Sequence, residues 1–128
     1  MSVLDHIPYA RFLGLRAETI DGEAVIVMPY QPSLIGNPML PALHGGATAA
    51  MMELAAVERL ARDLEQADIP KPINLTVAYL RSARDRDTYA HARISRAGRR
   101  VANVLVEAWQ DDRAAPIAAL TAHFLLPV

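Results

Sequence analysis

Residues 44–53, "HGGATAAMME", hold two kinds of group that can act on a carbonyl. His44, Gly45 and Gly46 open the run and Glu53 closes it. From Ala47 to Val57 every position except Thr48 and Glu53 is apolar. A carboxylate among Ala, Met and Leu is desolvated, and desolvation disfavours its charged form and raises its pKa. Such a group serves as a general base near neutral pH, or as a nucleophile that forms a mixed anhydride. The structural alternative for Glu53 is an ion pair with an arginine across an interface. The glycines bring the complementary chemistry. The first N–H groups of a helix have no partner within it and carry partial positive charge. Glycines let those N–H groups come close to a ligand atom. A carbonyl oxygen needs such a donor as it becomes an oxyanion during acyl transfer. Taken alone, "HGG" is an ordinary turn into a helix.

The spacing adds a constraint. Glu53 lies eight residues beyond Gly45, which is about 12 Å along a helix at ~1.5 Å per residue. Both cannot touch one reacting carbon within a single chain. If they cooperate, they come from two subunits whose helices run antiparallel, with two equivalent sites at the interface of a symmetric dimer. His44 either positions an acyl group or holds the loop, and a lone histidine is more often structural. His6, His44, His91 and His123 show no ligand spacing such as H-x-x-x-H, and there is no cysteine. No metal site is expected.

Charge is distributed unevenly. Residues 81–100 hold seven arginines against Asp85 and Asp87, a net +5, so the rest of the chain carries −6. Arginine suits bidentate phosphate contacts better than lysine. The window reads either as a solvated outer face of a sheet or as a surface for a phosphorylated ligand. Aromatic residues are only 5% of the chain and no nucleic-acid motif is present, so nucleic acid is not an expected partner.

These groups need a scaffold. The 128 residues suit one domain, 1–128, and a 52% apolar content excludes a disordered chain. The N-terminus lacks the basic and apolar regions of a signal peptide, and no apolar run approaches ~20 residues. With no cysteine, the expectation is a soluble cytoplasmic protein that does not enter membranes. Residues 3–13, "VLDHIPYARFL", read as a short helix broken near Pro8. "GLRAETIDGEAVIVMPY" reads as a hairpin turning at Asp21-Gly22. "QPSLIGNPMLPA", with three prolines, reads as an ordered loop. A helix of Ala, Met, Leu and Glu follows from roughly Gly45 to Glu65. Its second half, "VERLARDLEQAD", is amphipathic, and "DIPKP" ends it. "INLTVAYL", "TYAHARISRA", "RVANVLVEAWQ" and "PIAALTAHFLL" read as strands in an antiparallel meander. The sum is an α+β fold, with an antiparallel sheet of five to six strands wrapped around one long central helix. Met51, Met52, Val57 and the 31–42 loop are candidates for an acyl pocket, although Met at helical spacing is also ordinary core.

The motifs resemble the hotdog-fold acyl-CoA thioesterases, in particular the PaaI-like and hydroxybenzoyl-CoA thioesterase group. "LHGGATAAMMELAA" carries the resemblance, together with "INLTVAYLRSARDRD", "GRRVANVLVEAW" and the terminal "IAALTAHFLL". It extends from about Gly14 to Leu126. It implies a hotdog fold, a homodimer with one continuous sheet, and often a dimer of dimers. It implies hydrolysis of an acyl-CoA thioester to a carboxylate and free CoA. No cofactor is then needed, because CoA is part of the substrate. In this reading the Gly45 N–H polarises the thioester carbonyl, with Gly46 beside it on the substrate. Glu53 of the partner subunit is base or nucleophile, and glutamate is a variant where many relatives have aspartate. The family's amide six residues before the histidine falls on Pro38, so Asn37 fills that role after a one-residue shift. The strand often reads "LTVDYL" in relatives, and Ala78 replaces the aspartate here. Arg99 and Arg100, with Arg96 behind them, match the basic residues that hold CoA phosphates around the "RAGRR" turn. Two other readings are a non-catalytic acyl-CoA-binding hotdog protein and an acyl-thioester hydratase or dehydratase. The latter needs a catalytic His in a motif such as "DxNxxH", which is missing.

Overall fold

The computed structural model describes residues 2–65 and 68–127. The chain opens with a 3-10 turn, Val3–His6, capped by Ser2, and a short helix, α1, Pro8–Leu13. Pro8 divides the two, where its fixed φ starts a helix but cannot continue one. The hairpin follows as β1, Arg16–Ile20, and β2, Glu23–Met28. Asp21 and Gly22 link them with φ of 51° and 81°, the double positive φ of a two-residue turn that matches strand twist. Residues 31–42 form an ordered connection with a 3-10 turn, Pro32–Leu34, and a small ladder of β3, Ile35–Asn37, with β4, Ala42–Leu43.

The central helix, α2, spans Gly45–Asp63. The sequence expectation ran slightly further, and Gln66 and Ala67 of its amphipathic stretch lie outside the described residues. Four strands complete the sheet: β5, Lys71–Tyr79; β6, Thr88–Ala97; β7, Val101–Trp109; and β8, Ala118–Leu125. The six long strands lie in the order β1-β2-β6-β7-β8-β5, and every pairing is antiparallel.

This order corrects the expected meander. Strands β6, β7 and β8 are hairpin neighbours, but β5 pairs with β8, not β6. The chain leaves α2 at the far edge of the sheet, runs along that edge as β5, and crosses back through residues 80–87 to pair with β2. Backbone and side-chain bonds fix the crossover. Leu80 and Arg81 N–H donate to the Ile117 carbonyl at 2.8 and 3.1 Å, and Leu43 N–H donates to Ala83 O at 2.9 Å. Gln110 accepts from Arg84 N–H at 2.8 Å and donates back to Arg84 O at 2.8 Å.

The core lies between α2 and the inner face of the sheet. Met51, Met52 and Leu60 from the helix meet Val104, Val106, Leu120 and Phe124, all essentially inaccessible to solvent. Ala90, Ala92, Ala108, Ala118 and Ala122 keep the inner face low, so the helix sits close. Deep, dense packing of this kind makes truncation costly, and losing a buried Phe such as Phe124 typically costs ~3–5 kcal/mol. Arg59 bridges the layers by donating to Ala92 O at 2.7 Å. Strand β5 is different. It is exposed along nearly all its length, with Ile73 53% and Tyr79 57% accessible.

Candidate functional site

The N-terminus of α2 is assembled from side chains that reach it from both directions. His44 is the N-cap, and its Nδ1 accepts from Gly46 N–H at 2.9 Å. The Nδ1 acceptor role leaves the ring proton on Nε2 in the neutral imidazole. The His44 carbonyl accepts from Ala47 N–H at 3.0 Å, and the His44 N–H donates to Leu34 O at 2.7 Å. Tyr79, at the end of β5, donates its hydroxyl to Gly45 O at 2.8 Å. The Gly45 N–H makes no hydrogen bond among the described residues. It is the donor left available at the positive end of the helix.

Both glycines sit where a side chain would be crowded by a neighbour. A Cβ on Gly45 would stand 3.2 Å from the Tyr79 ring, and one on Gly46 would stand 3.0 Å from His44 Nδ1. Beside Gly45 opens a cavity of about 380 Å³, lined by Leu43, Thr48, Tyr79, Leu80 and Ile117 among others.

Glu53 sits on the outward face of α2, half-buried, in line with Gly46, Ala49 and Ala50. It has no ion pair or hydrogen bond among the described residues. Burial raises its carboxyl above the ordinary value of 4.5. Among the described residues of its own chain no arginine pairs with it, so an ion pair at this carboxylate would have to come from across an interface. Glu58, five residues further on and more deeply buried, does have an arginine partner: Arg62 lies 3.2 Å away.

The arginines of the "RAGRR" turn do converge. Arg96, Arg99 and Arg100 line a cavity of about 520 Å³ with Asn103 and His123. In register across the sheet, Arg96 faces Asn103, Asn103 faces His123, and His123 faces Asn74. His123 Nδ1 lies 2.9 Å from Asn74 Oδ1. Asn103 Oδ1 is buried without a hydrogen-bond partner among the described residues. A bulge between Ile94 and Arg96 shifts the strand there, which brings Arg96 to the same side as the turn despite the alternation of a regular strand.

Other expectations fare differently. Gly46 stands beside Gly45, but its N–H is engaged by His44. Asn37 Oδ1 accepts from Met39 N–H at 3.0 Å within its own turn. Met51, Met52 and Val57 are all buried in the core at 2% accessibility or less, so they pack against the sheet and do not line an open acyl pocket. Among the described residues no cluster of His, Asp or Glu could hold a metal ion, and no helix is long and apolar enough to cross a membrane. Sequence reasoning missed Tyr79, Asn103 and His123. The signal for Tyr79 was present as an aromatic residue beside the noted Ala78, but its partner lies 34 residues away.

Known proteins place the chain in a family. The family model for an acyl-CoA thioesterase N-terminal domain matches residues 36–125, which include α2, the "RAGRR" turn and β8. The medium/long-chain acyl-CoA thioesterase YigI of Escherichia coli K12 is 30% identical over 135 residues, covering 94% of this chain and 86% of that protein. The structure of a phenylacetic acid degradation-related protein from Ralstonia eutropha superposes with a TM-score of 0.80 at 27% identity, covering 94% of this chain and 91% of that one. The BH2602 protein of Bacillus halodurans, solved with CoA, shares the fold with a TM-score of 0.83 at 21% identity, covering 94% of this chain and 78% of that one. The antiparallel sheet around one long helix is the hotdog fold, and the chain belongs to the acyl-CoA thioesterase family.

Proposed function

We propose that this protein hydrolyses acyl-CoA thioesters at sites shared between two subunits. The observation that carries the reading is the pairing of an unengaged Gly45 N–H with an unpaired, half-buried Glu53 about 12 Å further along the same helix. Gly45 of one subunit donates to the thioester carbonyl. Glu53 of the partner subunit either takes a proton from the water that attacks the carbonyl carbon or attacks that carbon itself. In both cases the C–S bond breaks and CoA leaves as a thiolate. In the first it takes up the proton removed from water; in the second water hydrolyses the acyl–Glu53 anhydride to the product acid and free Glu53, and releases the proton that CoA takes up.

Two features support the shared site. Strand β5 is an exposed edge whose pairing with a partner's β5 would join two sheets into one. The outward stripe of Gly46, Ala49, Ala50 and Glu53 lets a second helix come close. Arg96, Arg99 and Arg100 hold the CoA phosphates in this reading, and the homodimer pairs further as a dimer of dimers. We place the protein in the cytoplasm as a single hotdog domain, and take medium- and long-chain acyl-CoAs, the substrates in YigI's name, as the first to test. The test is a panel of acyl-CoAs followed with a thiol reagent, and the absence of cysteine keeps the background low. Turnover of a subset with kcat far above the uncatalysed rate supports the proposal. Binding of acyl-CoA without turnover makes the protein a non-catalytic binder.

A further inference from the structure

The Gly45–Gly46 peptide is held by a side chain at each of its polar atoms. Tyr79 donates its hydroxyl to the Gly45 oxygen at 2.8 Å, and His44 Nδ1 accepts from the Gly46 N–H at 2.9 Å. Two consecutive glycines at the first turn of a helix are otherwise the most mobile backbone in the element, because nothing on Cβ restricts φ and ψ. The two clamping groups come from opposite sides. His44 belongs to the loop before α2, whereas Tyr79 belongs to the edge strand. A Cβ on Gly45 would meet the Tyr79 ring at 3.2 Å, so the missing side chain leaves the ring its room there. The preceding peptide is fixed as well, since the His44 carbonyl is engaged by the first turn. What remains free in this corner is the Gly45 N–H.

We propose that Tyr79 is a positioning residue for thioester hydrolysis, whose hydroxyl locks the Gly45–Gly46 peptide so that the Gly45 N–H points at the developing oxyanion. The inference rests on the reading of Gly45 as the oxyanion donor. A donor aimed in advance costs no reorganisation when charge develops, and this is the source of its catalytic value. A clamp of this kind acts on the transition state more than on the bound thioester, whose carbonyl carries less charge. Its loss therefore lowers kcat and leaves KM nearly unchanged.

The substitution is Tyr79→Phe, which removes the hydroxyl and keeps the ring over Gly45. The change removes a single hydroxyl hydrogen bond and keeps the ring, so the fold survives it. We expect kcat on an acyl-CoA to fall about tenfold, below the ~10²–10³ of a deleted oxyanion donor, with KM changed less than about twofold. A purely structural role predicts neither this split nor the following signature. In a Glu53→Gln background, where turnover slowed ~10²–10⁴-fold lets the bound thioester persist through the measurement, the isotope-edited infrared band of its carbonyl reports its hydrogen bond directly. The band should lie below its position in free acyl-CoA and move back toward it when Tyr79→Phe is added. An unshifted kcat, or a bound carbonyl band that Tyr79→Phe leaves in place, overturns the clamp while the Gly45 reading stands. A bound carbonyl that shows no lowering in Glu53→Gln itself overturns the Gly45 reading, and the clamp with it.

Discussion

Gly45 and Arg100 lie at opposite ends of one sheet. Gly45 is bonded to Tyr79, which pairs with Ala118 at the start of β8. Arg100 accepts from Leu126 N–H at 2.6 Å, just past Leu125 at the other end of β8. The seven residue steps from Ala118 to Leu125 span about 23 Å at ~3.3 Å per residue. In the proposed dimer, an antiparallel junction of two β5 edges would reverse this order across the dyad. It would set the arginine end of one chain beside the Gly45 end of the other. A single acyl-CoA would then take Gly45 from one subunit, and Glu53 with the arginines from its partner.

That assignment predicts a pattern of rescue. Co-expressed Gly45→Ala and Glu53→Gln chains form hybrids in which one of two sites is intact. Random mixing should restore about a quarter of wild-type activity. Gly45→Ala with the Arg99→Ala/Arg100→Ala chain should also complement. Glu53→Gln with the Arg99→Ala/Arg100→Ala chain should not, because both defects fall in the same half of the site. Activity assays on doubly tagged hybrids decide this, and rescue in the third pair alone would refute the arrangement.

Arg99→Ala/Arg100→Ala should raise KM for CoA esters by about tenfold or more with little change in kcat. Each charge-assisted hydrogen bond is worth ~1.5–3 kcal/mol, and the phosphates are remote from the carbonyl. Steady-state kinetics on one acyl-CoA suffices. An unchanged KM would leave the arginine excess as a solvated face.

Glu53→Gln should lower kcat by ~10²–10⁴-fold while the protein stays folded. The wild-type rate should rise with pH through the elevated pKa of Glu53, because the ionised form is the reactive one. That limb should vanish in the variant. A fully active Glu53→Gln protein would end the catalytic reading.

Stability should move the opposite way. Burial raises the Glu53 carboxyl above 4.5 in the folded protein, so the native state binds the proton more tightly than the unfolded chain. Its contribution is fully present below the unfolded value and is lost as pH rises through the folded one. Glu53→Gln carries no such dependence. The variant should therefore match wild type in melting temperature at acid pH and exceed it near neutrality. Thermal scans across that range test the sign, and a neutral-pH loss of stability would indicate a structural ion pair instead.

Much of the scaffold was legible because its signals are local. The run of Ala, Met and Leu marks α2, Asp21-Gly22 marks the hairpin, and the arginines cluster within one turn. What escaped depends on contacts distant in sequence. The position of β5 follows from where the chain re-enters the sheet, and its own residues alternate too weakly to reveal a neighbour. Tyr79 matters through a carbonyl on another element. The engagement of Gly46 by His44 is a matter of side-chain rotamer, which spacing alone does not determine. Met51 and Met52 at helical spacing read more readily as core than as pocket, and their burial against the inner face of the sheet makes them core.

Strand β5 also bears on the life of the newly made chain. Its nine residues, Lys71–Tyr79, form a long free edge, and only Lys71 and Pro72 at its first turn are of the kind that discourages strand addition. A folded protomer without its mate presents a template to any extended segment nearby. In the proposed dimer, assembly would be a form of quality control as well as a route to activity. Protomers that met promptly would hide the template in the β5 pairing, while slow dilution, overproduction of a partnerless variant or a truncated mate would send the same edge toward aggregates.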